Sequence, residues 1–287
     1  MPNSEIRNEV QSLKNVYLQM ASFVMSGLAL PFSGQIRAAA KLGYSGVELA
    51  GTQYGGMSAA QLKELLDECE ITVLGNHLQV DDVPGAIEDM KLLGAQYIVV
   101  PGIPMSNTTE VVLAAQVLNA LGKIVKEAGM MLGYHNHATE FAEENGNSLL
   151  QTLIDHTDPA YVIFECDVGW AAAAGVDVTA FIKKNTHRIR LIHANESDTI
   201  LGTKTVGRSP REIPRNEHGE LMFTPEEAED YRRRKTSDCP MGKGLPRWKE
   251  IVAAASDAQA YIVERRWSYL PDVLDCFAED LAFMKAL

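Results

Sequence analysis

The sequence is poor in features that would place it outside the ordinary globular proteins. Its four cysteines, Cys69, Cys166, Cys239 and Cys276, are scattered with no C-x-x-C pair, which suggests neither a zinc ribbon nor a disulfide framework. A reducing compartment is then the default, and a cytoplasmic location the expectation. Basic charge is in deficit: 26 Lys and Arg stand against 38 Asp and Glu, a formal charge of −12. Binding a phosphate backbone needs a net basic face that displaces counterions, so nucleic acid is not an expected partner. The run Arg232, Arg233, Arg234, Lys235 lies among Glu226, Glu227, Glu229 and Asp230 and reads as a solvated helix of mixed charge. Uninterrupted apolar runs are short as well. The stretch 16–32 is broken by Gln19, Ser22, Ser26 and Gly27, which makes it a poor signal peptide and a poor membrane span, so no membrane partner is expected.

What is present fits one large α/β domain. A chain of 287 residues with 46% hydrophobic and 22% charged content is globular, and a parallel (β/α)8 barrel runs to about that length without splitting. Short β-rich runs alternate with amphipathic ones, as in repeated βα units. Eight strands are expected at Tyr17–Val24, Ser45–Ala50, Ile71–Leu78, Gln96–Pro101, Met130–Asn136, Tyr161–Asp167, Arg188–Ala194 and Ala260–Arg265. Several are continuously apolar, as strands covered on both faces must be. Ser58-Ala-Ala-Gln61 can form a capping box that starts a helix with Leu62, Leu65, Leu66 and Cys69 on one face. A second helix is expected from about Thr109 to Ala128, closed by Gly129. Residues 1–16 read as a polar extension and 17–287 as the barrel, with a long proline-rich insertion at about 196–245, after strand seven, lying over the barrel mouth.

In such a barrel the C-terminal ends of the strands converge on one site, so the residues that end each run carry the information. They are Glu48, His77, His135-Asn136-His137 with Glu140 beyond, Asp167, His193 and Glu264. Apolar strands that repeatedly end in carboxylates and imidazoles would suffer desolvation and like-charge repulsion unless a cation or matched protons compensated them. A bound metal resolves that conflict. Carboxylates with an imidazole and no thiolate favour Mn2+, with Mg2+, Co2+ and Zn2+ as alternatives.

At these residues the chain resembles the xylose isomerase-like TIM-barrel superfamily, and within it the sugar phosphate isomerase/epimerase family. The resemblance rests on six segments in order: Gly43-Tyr-Ser-Gly-Val-Glu-Leu49, Tyr134-His-Asn-His-Ala-Thr-Glu-Phe141, Glu165-Cys-Asp-Val-Gly-Trp170, Leu191-Ile-His193, Gly242-Lys-Gly-Leu-Pro-Arg-Trp248 and Ile262-Val-Glu264. It implies a divalent metal held by Glu140, Asp167, His193 and Glu264, with Glu140 standing in for a glutamate that many members carry where this chain has His135. His77, His135 and His137, with Glu48, Trp170 and Glu196, would meet the substrate. After strand seven this chain reads His193-Ala-Asn-Glu196, so the lysine of the common His-x-Lys-Asp is missing. The resemblance also implies a small carbohydrate substrate and a homo-oligomer.

The chemistry follows from the metal. A cation chelated by neighbouring carbonyl and hydroxyl oxygens acidifies the C–H between them and stabilises the enediolate. Two carboxylates, Glu140 and Glu264, could move the proton between faces, giving a sugar or keto-sugar isomerase or epimerase, with His135 as a further catalytic group. If the carbanion instead expels a β-substituent, the same apparatus is a lyase or dehydratase of keto-glycosides or inositol-type polyols, with a histidine protonating the leaving oxygen. Gly242-Lys-Gly244 reads as a tight turn rather than an anion cradle.

Overall fold

The computed structural model describes residues 15–204, 214, 216–217 and 221–287. Eight parallel strands close a barrel: β1 Val16–Gln19, β2 Gly46–Ala50, β3 Thr72–His77, β4 Tyr97–Val100, β5 Met131–His135, β6 Val162–Asp167, β7 Ile189–Ala194 and β8 Ala260–Val263. Each strand pairs with the next in sequence, and β8 closes on β1 through Val16 opposite Tyr261. The expected (β/α)8 architecture is therefore present.

The first strand is shorter than the sequence implies. Tyr17–Val24 is a strand only to Gln19, and Ala21–Met25 forms helix α1, with Ser22 and Phe23 buried. The apolar composition that suggested a longer strand here serves a buried helical turn, a choice that periodicity cannot make over so few residues. A small antiparallel ribbon, Glu143–Glu144 with Asn147–Ser148, follows β5 and was not anticipated.

The helices that cover the barrel, among them α2 Phe32–Leu42, α4 Val83–Leu93, α6 Leu149–His156 and α8 Val178–Asn185, are set by local chemistry. In α3, Ala59–Glu68, the Ser58 hydroxyl accepts from Gln61 N while the Gln61 side chain accepts from Ser58 N, as expected. Helix α5, Thr108–Glu127, starts on the Asn107 cap and gives way to Gly129 at φ 86°. It is also long and apolar enough to cross a membrane by composition, but here it buries Val111, Ala114, Leu118 and Val125 in the cluster between helices and strands.

Side chains of alternate parity point into the barrel and fill it in layers. The lower layer is apolar, with Leu74, Tyr97, Val99, Ile163, Leu191, Ala260 and Ile262 in one buried cluster. Two residues further along the same faces lie ionisable groups: Glu165 then Asp167 beyond Ile163, His193 beyond Leu191, and Glu264 beyond Ile262. The much larger cluster between strands and helices supplies most of the buried apolar surface.

The region between β7 and β8 carries helices α9, Pro225–Thr236, and α10, Trp248–Ala254. Helix α9 has the expected mixed charge, with Arg232 paired to Glu229 and Arg234 to Asp230, although Glu227 and Asp230 are buried. The 196–245 stretch that we expected over the mouth falls in part on residues 205–213, 215 and 218–220, which lie outside the described residues, as do residues 1–14.

Candidate metal and substrate site

The C-terminal ends of the strands bring seven ionisable side chains together. His77 Nε2, at the end of β3, lies 3.1 Å from Glu48 Oε2 and 2.9 Å from Glu165 Oε1. His135 Nδ1, at the end of β5, is also 2.9 Å from Glu165 Oε1. His193 stands between two sets of carboxylates. Its Nδ1 faces Asp167 at 3.2 Å and Glu264 at 3.8 Å, while its Nε2 faces Glu48 at 3.5 Å and Glu165 at 3.9 Å. Glu48, Glu165, Asp167 and His193 are fully buried, and a cavity of about 320 Å3 opens above them. Its walls include His77, His135, His137, Asp82 and Glu264.

Two register shifts help aim these groups. The β2–β3 ladder slips between Val47 and Glu48, and the β6–β7 ladder slips between Phe164 and Glu165. Such bulges beside a site bend the strand and redirect a side chain. Asp167 has a second duty as the cap of helix α7, Val168–Ala173, with Oδ1 accepting from Trp170 N at 2.7 Å.

The buried carboxylates favour positive charge on two of the imidazoles beside them. Burial works to lower the His77 pKa, but Glu48 and Glu165 outweigh it and hold it at about 10. His193 is likewise held well above the usual imidazole range, against burial, by Glu165 and Glu264. His135 goes the other way, well below that range, because burial and the neighbouring His193 and His77 disfavour a further charge. Burial also lifts the Glu264 carboxyl. Protonated imidazoles and a bound cation would thus relieve the buried carboxylates in the same way.

The residues fit a divalent metal. Asp167, His193 and Glu264 offer ligand atoms within 4.8 Å of one another, and so do His77, His135, Glu165 and His193. Glu48 Oε1, Glu165 Oε2 and His193 Nε2 are buried without a hydrogen-bond partner, a costly state that a cation would relieve.

Glu140, the fourth ligand implied by the family resemblance and one of its two proton-transfer carboxylates, is not brought to this group. It is buried in the turn after β5, where Oε1 accepts from the Tyr134 hydroxyl at 3.0 Å and Oε2 from Thr139 Oγ1 at 2.8 Å and His137 N at 3.1 Å. The short 3-10 turn Thr139–Phe141 points its carboxylate back at the loop it stabilises. Glu165 occupies the position among the strand ends instead.

Glu196 is also turned away from the cavity. Its Oε2 accepts from Gly242 N at 2.6 Å and Trp248 Nε1 at 2.8 Å, so it anchors the loop before α10. Gly242 has φ 75° in a tight turn, and its amide is already taken by a carboxylate. Burial lifts the Glu196 carboxyl to about 7. The folded chain then keeps a proton that the unfolded chain has shed, so this contribution to stability is complete below about pH 4.5 and is lost as pH rises through 7. Glu196→Gln should remove the loss: urea unfolding at pH 8 against pH 5 should show the variant gaining up to about 3 kcal/mol relative to the parent.

Trp170 lies against His137 of the cavity wall with ring centroids 5.8 Å apart, and the Arg266 guanidinium lies over Trp170, 4.2 Å from its ring centroid. Four contributors escaped the sequence reading: Glu165, Arg266, Gln19, whose amide donates to Glu48 Oε2 at 2.7 Å, and Asn195. Asn195 Nδ2 donates to both Asp167 Oδ2 at 3.2 Å and Glu264 Oε2 at 3.1 Å, fixing two carboxylates at once. Gly169 makes this possible, because a Cβ there would sit 2.7 Å from the Asn195 carbonyl. Gly169→Ala should therefore displace Asn195 and weaken metal binding about 10- to 100-fold, read by metal titration of the folded variant.

Comparison with known proteins agrees with this architecture. Residues 36–287 match the xylose isomerase-like TIM barrel family. An inosose dehydratase of Mesomycoplasma hyopneumoniae is 27% identical over 223 residues, covering 66% of this chain and 72% of the relative. One from Bacillus velezensis is 34% identical over 102 residues, a match that spans only 33% of that relative. Among solved structures, a sugar phosphate isomerase/epimerase from Parabacteroides distasonis superposes with a TM-score of 0.65 at 20% identity, covering 100% of this chain and 98% of the other.

Proposed function

Because the chain belongs to the xylose isomerase-like TIM-barrel family, we propose that it is a metal-dependent enzyme that isomerises or epimerises a sugar or keto-sugar by moving a proton on carbon. The observation that carries this reading is the convergence of buried carboxylates and imidazoles, several with unpartnered atoms, beneath an open polar cavity. Asp167, His193 and Glu264 would hold the cation, with Mn2+ the best match to two carboxylates and one imidazole. When bound, it would stabilise negative charge on the substrate oxygens as the C–H bond ionises.

The protein's own groups would do the rest. Glu264 Oε2 is held by Asn195, which leaves its second oxygen to exchange a proton with substrate. His137 is the most open imidazole of the site, at 42% side-chain exposure, and is placed to bind a hydroxyl or pass a proton to it. His135, which we expected to act in catalysis, sits behind it with Nδ1 against Glu165. Asp82 and His77 would accept and donate hydrogen bonds to sugar hydroxyls along the cavity wall.

The named relatives favour a second reading, loss of water from a keto-polyol, in which His137 would protonate the departing oxygen. Turnover of a keto-sugar and keto-polyol panel in D2O tests both. Deuterium at carbon in an interconverted stereoisomer supports the first reading, and an unsaturated product supports the second. A metal-loaded protein that exchanges no carbon-bound hydrogen across the panel defeats both.

A further inference from the structure

We propose that a second divalent cation binds deeper in the barrel, held by Glu48, His77, His135 and Glu165, a site that rests on the reading of Asp167, His193 and Glu264 as the outer one. Two sets of donors share His193: His77, His135 and Glu165 on one side, Asp167 and Glu264 on the other, with Glu48 joining the first set through Oε2, 3.1 Å from His77 Nε2. The His193 imidazole turns Nδ1 to Asp167 and Glu264 and Nε2 to Glu48 and Glu165. A cation taken through Nδ1 therefore leaves the inner group with its own four donors, one each from β2, β3, β5 and β6.

The inner group has the spacing of a coordination shell. Glu165 Oε1 is 2.9 Å from both His77 Nε2 and His135 Nδ1, and Glu48 Oε2 is 3.1 Å from His77 Nε2. Ligands about 2.1 Å from one cation lie roughly 3.0–3.4 Å apart along the edges of an octahedron or tetrahedron. The plainer reading is an ion pair, a protonated His77 shared by two carboxylates. It accounts for Glu48 Oε2 and Glu165 Oε1 but leaves Glu48 Oε1 and Glu165 Oε2 without a partner, on side chains that are fully buried, whereas a cation held through both oxygens of each carboxylate would partner them as well. Both glutamates also follow register shifts, so the fold gives up regular strand pairing at the two positions that aim these carboxylates together. Two imidazoles with two carboxylates suit a first-row transition cation such as Mn2+, Co2+ or Zn2+ better than Mg2+ or Ca2+.

Chelator-stripped protein titrated with Mn2+, desalted and analysed for metal should retain two ions per chain. His77→Ala and Glu165→Gln should each reduce this to one, and Asp167→Asn should also leave one, now the inner ion. His77→Gln replaces His77→Ala if circular dichroism shows that the alanine variant is unfolded. Electron paramagnetic resonance of the loaded parent should show a spectrum broadened by a neighbouring spin, which sharpens to that of an isolated ion in each variant. A parent that saturates at one ion, retained in His77→Ala with an unchanged spectrum, overturns the inner site and leaves the outer one standing. Saturation at no ion overturns both.

Discussion

Asp167→Asn should leave the chain folded while cutting kcat/KM by about 100- to 1,000-fold, the equivalent of roughly 3–4 kcal/mol of lost charge stabilisation in the transition state. The two oxygens of this carboxylate do different work, which makes the substitution informative. Oδ1 caps α7 through Trp170 N, and an asparagine oxygen can do the same, since Asn ranks with Asp as a helix cap. Oδ2 faces His193 and Asn195, where the amide brings no charge to a cation. Helix and barrel should survive, and the cation should not remain in the outer site at ordinary concentrations. Excess Mn2+ should restore part of the activity. Full activity in protein from which chelator has removed all metal would sink the proposed mechanism.

Much of this site could be read from the sequence because strand ends in a parallel barrel are a fixed address. Glu48, His77, His135, Asp167, His193 and Glu264 each close or follow an apolar run, and the structure gathers all six. What was missed lay one step further back. Glu165 is two residues before Asp167, on the same inward face and next to a register shift, so extending the strand-end rule by one period of two would have found it. Glu140 drew attention through its neighbours in a motif, yet a residue three positions beyond a strand is placed by loop geometry, and that loop folds back on Tyr134. Glu196 misled for a similar reason: polarity beside a strand end does not reveal whether a carboxylate faces the cavity or the segment behind it. The helix α1 was hidden because five residues are too few to separate a helical period from a strand's. Asn195 and Gln19 carry no charge and act by holding charged groups, a role set by contacts between distant strands that no local pattern encodes.

The largest effect on folding is expected from Arg265→Met, one residue past a proposed ligand but facing the other way. Arg265 is fully buried; it donates from NH2 to Asp280 Oδ1 at 2.7 Å and from NH1 to Asp238 Oδ1 at 3.0 Å, with Nε also on Asp280. Asp238 in turn accepts from the amides of Arg266 and Trp267 at 2.7 Å and 2.9 Å. One guanidinium thus ties β8, the segment after α9 and the C-terminal helix α11, Val273–Lys285, into a single unit behind the site. Met fills much of the volume but leaves two buried carboxylates without the guanidinium that balances their charge, which costs about 3–5 kcal/mol and should lower Tm by roughly 10 °C. The pH dependence separates this cause from a simple packing defect. Burial already lifts the Asp280 carboxyl to about 6 with the guanidinium in place, and its loss would lift it further. A carboxyl with a raised folded pKa favours folding most below its unfolded pKa and loses that contribution as pH climbs through the folded value. The deficit of the variant should therefore be small near pH 4 and full by about pH 7–8, and adding Asp280→Asn should recover part of it at pH 7. A packing defect would give the same deficit at both pH values and no recovery from Asp280→Asn.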